Sequence, residues 1–255
     1  MVALQVPRLR PRRYGLTLVS LVGLMLASAA AGPSALAANP QPGDPLPACD
    51  YQDVMTRYRA YNDWRKTLVD TIERVGKYYV PPDLVATSKA SISGGGQVRA
   101  AMIDDLRAMA AVARDAGNPL AVASAYRSYA QQRRSFHYWV RVHGRKRGLL
   151  ESARPGHSEH QLGLAIDFTA EGDPIAPWDH HDWATTPSGA WMKLHAWEYG
   201  YVMSYPKYRT HVTCYEYEPW HYRYVGRTEA AAVHDSGMVL RRYLWRNFET
   251  APSGS

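Results

Sequence analysis

Apolar residues Trp64, Leu68 and Ile72 recur every four positions, which predicts a first helix that stops before Pro81-Pro82. Val98, Ala101, Met102, Met109 and Ala113 mark a second helix, closed by Gly117. Leu120-Ala121-Val122-Ala123 reads as a short strand, and Ser128 can cap a third helix carrying Phe136, Trp139 and Val140 as far as Gly144. The period then changes: Leu164, Ile166 and Phe168 alternate with Ala165 and Asp167, as in a strand with one apolar face. A further helix is expected from about Pro187 to Tyr199 with Gly200 as its stop, then strands around Tyr201 to Tyr205 and Trp220 to Val225. Leu240, Leu244 and Phe248 form a terminal helix. Helices and strands mix without regular alternation, so the class is α+β rather than a parallel α/β sheet.

The first 37 residues stand apart from this pattern. Arg8, Arg10, Arg12 and Arg13 precede an apolar run from Leu16 to Ala31, and the small-residue sequence Ala35-Leu36-Ala37 follows. These are the three parts of a secretory leader, expected to be cleaved near Ala37 and to deliver the chain outside the cytoplasm, secreted or wall-associated. Gly15, Gly23, Gly32 and Pro33 interrupt the run, and it falls short of the roughly 20 residues that a membrane anchor needs. Residues 38 to 48 include the proline-rich stretch Asn39 to Pro47, a linker, so the folded domain is expected to occupy residues 49 to 255. With 46% hydrophobic residues in 255, there is material for one sizeable core.

Charge changes the picture less than it first promises. The formal net charge is +7, but the four leader arginines account for more than half of it, and +3 remains. That weakens any nucleic-acid reading. Two cysteines, Cys49 and Cys214, lie in the exported portion, where an oxidising compartment lets them pair. A disulfide is read here in preference to two separate buried thiols. A metal role fits poorly, because neither cysteine has a second one at ligand spacing.

Two segments concentrate metal-binding side chains beside strand-like sequence. The first is Ser158-Glu159-His160-Gln161-Leu162-Gly163-Leu164-Ala165-Ile166-Asp167, and the second is Glu216-Tyr217-Glu218-Pro219-Trp220-His221-Tyr222-Arg223-Tyr224. Strand alternation puts Gly163, Ala165 and Asp167 on one face, and two tiny neighbours leave room beside the carboxylate for a metal and a substrate. In the second segment His221 and Arg223 share a face, and Pro219 biases Glu218 towards extended backbone, so a turn or bulge must bring Glu218 round. No His-Glu-x-x-His segment exists, which excludes the common helix-based metalloprotease, and no Gly-x-Ser-x-Gly elbow is present.

These residues resemble the signatures of the VanY-type D-alanyl-D-alanine carboxypeptidases, zinc peptidases that share a fold with the amino-terminal domain of Hedgehog proteins. The patterns Ser-x-His-x-x-Gly-x-Ala-x-Asp and Glu-x-x-His are matched by Ser158, His160, Gly163, Ala165 and Asp167, and by Glu218 and His221. Ser124-Ala125-Tyr126-Arg127-Ser128-Tyr129 with Gln132 is a third matching segment, and the resemblance runs roughly from Tyr79 to Leu244. It implies a small antiparallel sheet carrying the zinc site, packed with helices. It also implies Zn2+ held by His160, Asp167 and His221, Glu218 as the proton shuttle and Arg127 as the stabiliser of negative charge. Ser158 and Gln132 are implied as substrate contacts, with Arg127 also able to hold a substrate carboxylate. The implied activity is removal of a terminal D-alanine from peptidoglycan stem peptides by a monomeric enzyme. The alternatives are an L,D-carboxypeptidase, a dipeptidase, an endolysin-like peptidase, or a catalytically silent wall-binding module. Of the other histidines, His157 reads as a hydrogen-bonding neighbour and His180-His181 as an exposed loop.

Overall fold

The computed structural model describes residues 43–250; the predicted leader and residues 38–42 of the linker lie outside the described residues. Nine short strands and six α-helices follow one another from β1 (Val54–Met55) to α6 (Leu240–Leu244) among the described residues. In chain order they are β1, β2 (Glu73–Arg74), β3 (Leu84–Ala86), β4 (Ser93–Gly94), β5 (Gln97–Arg99), α1 (Ile103–Asp115) and β6 (Leu120–Ser124). Next come α2 (Tyr129–Glu151), β7 (Ala165–Ala170), α3 (Pro187–His195), β8 (Tyr201–Met203), α4 (Thr210–Thr213), β9 (His221–Tyr224), α5 (Arg227–Ser236) and α6. The main sheet has the order β4-β6-β7-β9-β8. All its pairs are antiparallel except β4 with β6 at one edge. This is the expected α+β class, with one parallel edge added.

One face of β7 is apolar. Ile166 and Phe168, with Leu164 just ahead of the strand, are fully buried with Tyr201 and Tyr222 of the neighbouring strands, Met102, Leu106 and Met109 around α1, and Met192 of α3. Burial of this many large side chains holds the sheet against its helices, each contributing roughly 1.5–3 kcal/mol of transfer free energy. The opposite face carries the polar residues described below.

The first expected helix does not form. Tyr61–Asp63 make a single 3-10 turn and residues 64–72 run as turns into β2, which pairs parallel with β1. The Asp70 carboxylate accepts from the backbone N–H of Ile72 at 2.7 Å and of Glu73 at 2.6 Å, so the side chain takes over the backbone partners that a helix would need. Trp64, Leu68 and Ile72 are buried all the same, so their spacing reported burial and not helicity. The second helix starts later than Val98, because Gln97–Arg99 pair with β3, and a 3-10 turn at Ala100–Met102 leads into α1. Gly144, expected to end the third helix, has φ +79° and breaks it, but the chain resumes helical structure as far as Glu151. The capping box is present: Ser128 Oγ accepts from Gln131 N–H while the Gln131 side chain accepts from Ser128 N–H. Helix α5, bounded by Gly226 and Gly237 at positive φ, had no counterpart in the sequence reading.

The folded chain begins before Cys49. Asp44 O accepts from Trp245 Nε1 at 3.0 Å and Pro47 O accepts from Arg241 Nη1 at 3.1 Å, so the end of the linker lies along the C-terminal helical segment. Cys49 and Cys214 are joined by a disulfide.

Candidate metal centre

Register positions the centre. Strands β7 and β9 pair antiparallel with Asp167 directly opposite His221, so two residues 54 positions apart become cross-strand neighbours. A register shift in β6 between Val122 and Ser124 sets Ser124 opposite the other side of Asp167. His160 arrives from a 3-10 turn, Glu159–Leu162, that precedes β7. Gly163 ends that turn at φ +68°, and a Cβ there would meet Leu84 Cδ2 at 2.8 Å and Arg99 Cγ at 3.1 Å. The small residue is therefore demanded by the left-handed turn and by packing against β3 and β5, not by room for a substrate. Only Ala165 keeps the place expected for it beside Asp167.

One ligand atom from each of His160, Asp167 and His221 lies within 4.8 Å of the others, and all three residues are buried. His160 Nδ1 donates to Ala125 O at 2.7 Å, and since a carbonyl only accepts, the proton is on Nδ1 and Nε2 is the free lone pair. That Nε2 is buried with no hydrogen-bond partner, although Asp167 Oδ2 stands 3.2 Å away. A lone pair and a carboxylate oxygen facing each other across about the edge of a tetrahedron with bonds of about 2.0–2.1 Å are what a zinc-type ion requires. Burial, then the charge of Arg127, lowers the His160 pKa to about 4, which keeps the imidazole neutral and able to ligate.

His221 is held the other way round. Its Nε2 donates to Glu159 Oε2 at 2.9 Å, which turns Nδ1 to Asp167 Oδ1 at 3.0 Å. Burial works against its charge, but the hydrogen bonds to Asp167 and Glu159 outweigh it and raise the pKa to about 10. The same bonds act on Asp167: burial alone would raise its pKa, yet His160 and then His221 bring it well below the usual carboxylate range. The donor set, two imidazoles and a carboxylate, fits zinc with further coordination sites open.

Glu218 sits on the cleft side. Pro219 and Trp220 make a turn closed by His221 N–H donating to Glu218 O at 3.1 Å, and the Glu218 carboxylate reaches to 3.8 Å from His221 Nδ1. This is the turn that Pro219 demanded. Burial first raises its pKa; His221 offsets this in part and Asp167 adds to it, giving about 7. Such a value suits a group that takes up and returns a proton near neutrality.

Arg127 stands between α2 and β7. Its Nη1 donates to Ser124 Oγ at 2.9 Å and lies 3.4 Å from Asp167 Oδ2, while Nε donates to Gln132 Oε1 at 3.0 Å. Its side chain stays 28% exposed, so the guanidinium has surface left for a ligand. Gln132 has a different place from the expected one: it is buried, its amide is shared between Arg127 and Ala153 O at 2.7 Å, and it does not line the cleft. It orients Arg127. Ser158 does line the cleft, with Arg127, His160, Asp167, Glu218 and His221. That cleft has a volume of about 620 Å³, with Tyr138, Trp139, Trp178 and Trp220 along its walls.

The sequence reading passed over a buried group beneath the ligands. Glu159 accepts from Ser204 Oγ at 2.6 Å as well as from His221, and its Oε1 lies 3.3 Å from Arg223 Nη1. Arg223 is fully buried and donates through Nη2 to Trp64 O and Thr67 O. The signal was present: Arg223 shares a strand face with His221, and Glu159 adjoins His160. Ser204-Tyr205-Pro206-Lys207 has Ser-x-x-Lys spacing, but Ser204 donates to Glu159 and Lys207 pairs with Asp182 at 3.2 Å, so no Ser-Lys couple forms. His157 bonds Asp70 O and Asp53, each at 2.8 Å, and His180 pairs with Asp173 at 2.9 Å; neither reaches the centre.

Known proteins resemble this chain in sequence and in fold. The family model "VanY: D-alanyl-D-alanine carboxypeptidase" matches residues 95–227, just over half of the chain. The Bacillus subtilis (strain 168) protein YodJ is 36% identical over 147 residues, covering 58% of this chain and 53% of its own. The chain thus spans about half the length of that curated relative. Among solved structures, the LdcB LD-carboxypeptidase superposes with TM-score 0.64 at 29% identity, over 75% of this chain and 94% of that one. A Zn(II) complex of the vancomycin-resistance D,D-pentapeptidase VanY from a VanB-type cassette does so with TM-score 0.60 at 28% identity, over 71% and 99%. The matched segment covers β5 to β9 and contains His160, Asp167, Glu218 and His221, and the chain belongs to the VanY D-alanyl-D-alanine carboxypeptidase family.

Proposed function

We propose that this protein is an exported zinc carboxypeptidase that removes the terminal D-alanine from peptidoglycan stem peptides. The observation that carries this reading is the buried, partnerless His160 Nε2 facing Asp167 and His221, with Glu218 beside them on the cleft wall. The family and the zinc in the related VanY complex support the same choice of ion and reaction.

His160, Asp167 and His221 would hold the zinc ion, which would supply Lewis acidity towards a peptide carbonyl and towards water. Glu218 takes the proton from the attacking water and returns it to the departing amine, the two halves of general acid-base work. Arg127, fixed by Gln132 and Ser124, offers N–H groups to the oxyanion or to the substrate carboxylate. Ser158 lines the cleft within reach of a bound peptide. Glu159 keeps the proton of His221 on Nε2, so that Nδ1 stays a ligand.

The test is a product analysis by mass spectrometry with soluble pentapeptide ending in D-Ala-D-Ala and with tetrapeptide ending in one D-Ala. The reading expects loss of a single alanine from the pentapeptide, abolished by chelation and restored by zinc. An internal cut, or an undiminished rate after the metal is removed, contradicts it. The overlap with LdcB favours a second reading, L,D-cleavage, for which the tetrapeptide would be the better substrate.

A further inference from the structure

The positive charge of this protein is concentrated on one helix. Of the formal net charge of +7, Arg8, Arg10, Arg12 and Arg13 contribute four units. Helix α2 contains Arg133, Arg134, Arg141, Arg145, Lys146 and Arg147 against the single acid Glu151, a net +5, so the remainder of the chain carries a net −2. Arg147 is paired with Glu151 and Glu216. The other five are exposed and have no ion-pair or hydrogen-bond partner among the described residues.

Their placement is ordered. At about 100° per residue, Arg133, Arg134, His137 and Arg141 fall within an arc of about 100°, and Arg133 to Arg141 span about 12 Å along the axis. No large exposed apolar side chain lies in that arc. Tyr138 and Val142, about half exposed, stand on the adjoining face, where they line the catalytic cleft. The basic row therefore runs along the outer flank of one cleft wall. Cations held unpaired on a rigid helix, beside a domain that is otherwise slightly acidic, form a field aimed at an anionic partner.

We propose that this face of α2 is a docking surface for a phosphodiester polyanion of the cell wall, a flexible chain whose charge recurs along its length as the cations recur along this row. The assignment to a wall polymer rests on the stem-peptide reading above, because such a polymer lying on this row holds the mouth of the cleft beside the stem peptides of the same wall. A membrane surface fits less well: an interfacial helix needs a continuous apolar face free to insert beside its cations, and α2 exposes only Tyr138 and Val142 as large apolar side chains, both on the cleft wall.

The experiment is co-sedimentation of the full folded protein with purified bacterial walls, across a salt series, compared with the variant R133Q/R134Q/R141Q/R145Q. None of these four touches the metal centre, so the variant retains wild-type turnover of a soluble pentapeptide. Wild type is expected to sediment with walls and to be released as salt rises, and the variant to bind roughly tenfold more weakly or worse. Walls stripped of phosphodiester polymers by acid extraction test the occupant: lost binding supports it, and retained binding, which would fall to the carboxylates of the peptidoglycan itself, overturns it. Equal sedimentation of variant and wild type overturns the proposal, as does no sedimentation of either. Binding to anionic phospholipid vesicles or to DNA as tight as to walls overturns the choice of partner. Failure of the stem-peptide reading is separate, since it shows as no alanine release from soluble peptide by the wild type while sedimentation is unaffected.

Discussion

Replacing Glu159 by Gln tests whether the metal centre depends on the buried carboxylate beneath it. In the native protein the two oxygens of Glu159 receive Ser204 Oγ at 2.6 Å, His221 Nε2 at 2.9 Å and Arg223 Nη1 at 3.3 Å, all donors. An amide has one acceptor oxygen, so one end of the substituted side chain must present N–H groups to a donor, whichever way it is flipped. Either His221 loses the partner that fixes its Nε2 proton, or Arg223 faces a donor inside the protein. Loss of a carboxylate that orients a ligating histidine weakens metal binding by about 10- to 100-fold, or about 1.4 to 2.7 kcal/mol. Glu159→Ala leaves the guanidinium uncompensated as well, at about 3–5 kcal/mol of stability, which for a chain of this size lowers Tm by about 6–20 °C. The assay is zinc competition against a chromophoric chelator on metal-free protein, with melting of the same samples in parallel. A Glu159→Gln protein that melts lower yet binds zinc with native affinity would show that Glu159 only packs, and would refute the reasoning.

Other outcomes follow from the same structure. The Cys49–Cys214 bridge closes a loop with a sequence separation of 165, for which chain entropy gives a ceiling of about 5 kcal/mol; reduction verified by intact mass should lower Tm, by at most about 10–20 °C, and an unchanged Tm contradicts this. Burial, then the charge of Asp70, pushes the Glu73 carboxyl up to about 8. A pKa raised above the unfolded value of 4.5 means that its contribution to stability is full below that pH and lost as pH rises through the folded value. Glu73→Gln should therefore melt several degrees above the parent near pH 8.5 and no higher near pH 4, whereas a difference independent of pH contradicts the shift. Arg127→Lys should keep its metal and lose about 10²–10³ in kcat/KM, because a lysine cannot reproduce the fixed fork that Gln132 and Ser124 orient; full activity would remove Arg127 from its role.

Asp167 and Glu218 were legible as candidates because each lies in a short segment whose own pattern sets its conformation. The alternation around Asp167 and the proline after Glu218 fixed a strand and a turn, and β7 and β9 then needed only to pair. Gly163 was legible as a glycine but not for its reason, since its close neighbours Leu84 and Arg99 come from strands far away in sequence. Trp64 to Ile72 had helical spacing but no helix, because Asp70 captures the backbone N–H groups of Ile72 and Glu73 and pairs with Arg241 at 2.6 Å, a partner 171 residues away. Long-range competition of that kind leaves no trace in local periodicity. Glu159 and Gln132 fell to the same limit: what they do depends on Ser204, Arg223 and Ala153, which only the folded chain brings near.

The central claim is that His160, Asp167 and His221 hold the ion while Glu218 moves the proton. Zinc content by elemental analysis, measured on the samples whose alanine release is followed, tests it most directly. The account predicts about one zinc per chain in wild type and in Glu218→Ala, with turnover lower by orders of magnitude in that variant, and neither zinc nor turnover in Asp167→Ala. Zinc lost from Glu218→Ala but kept by Asp167→Ala would reverse the two roles and contradict the account.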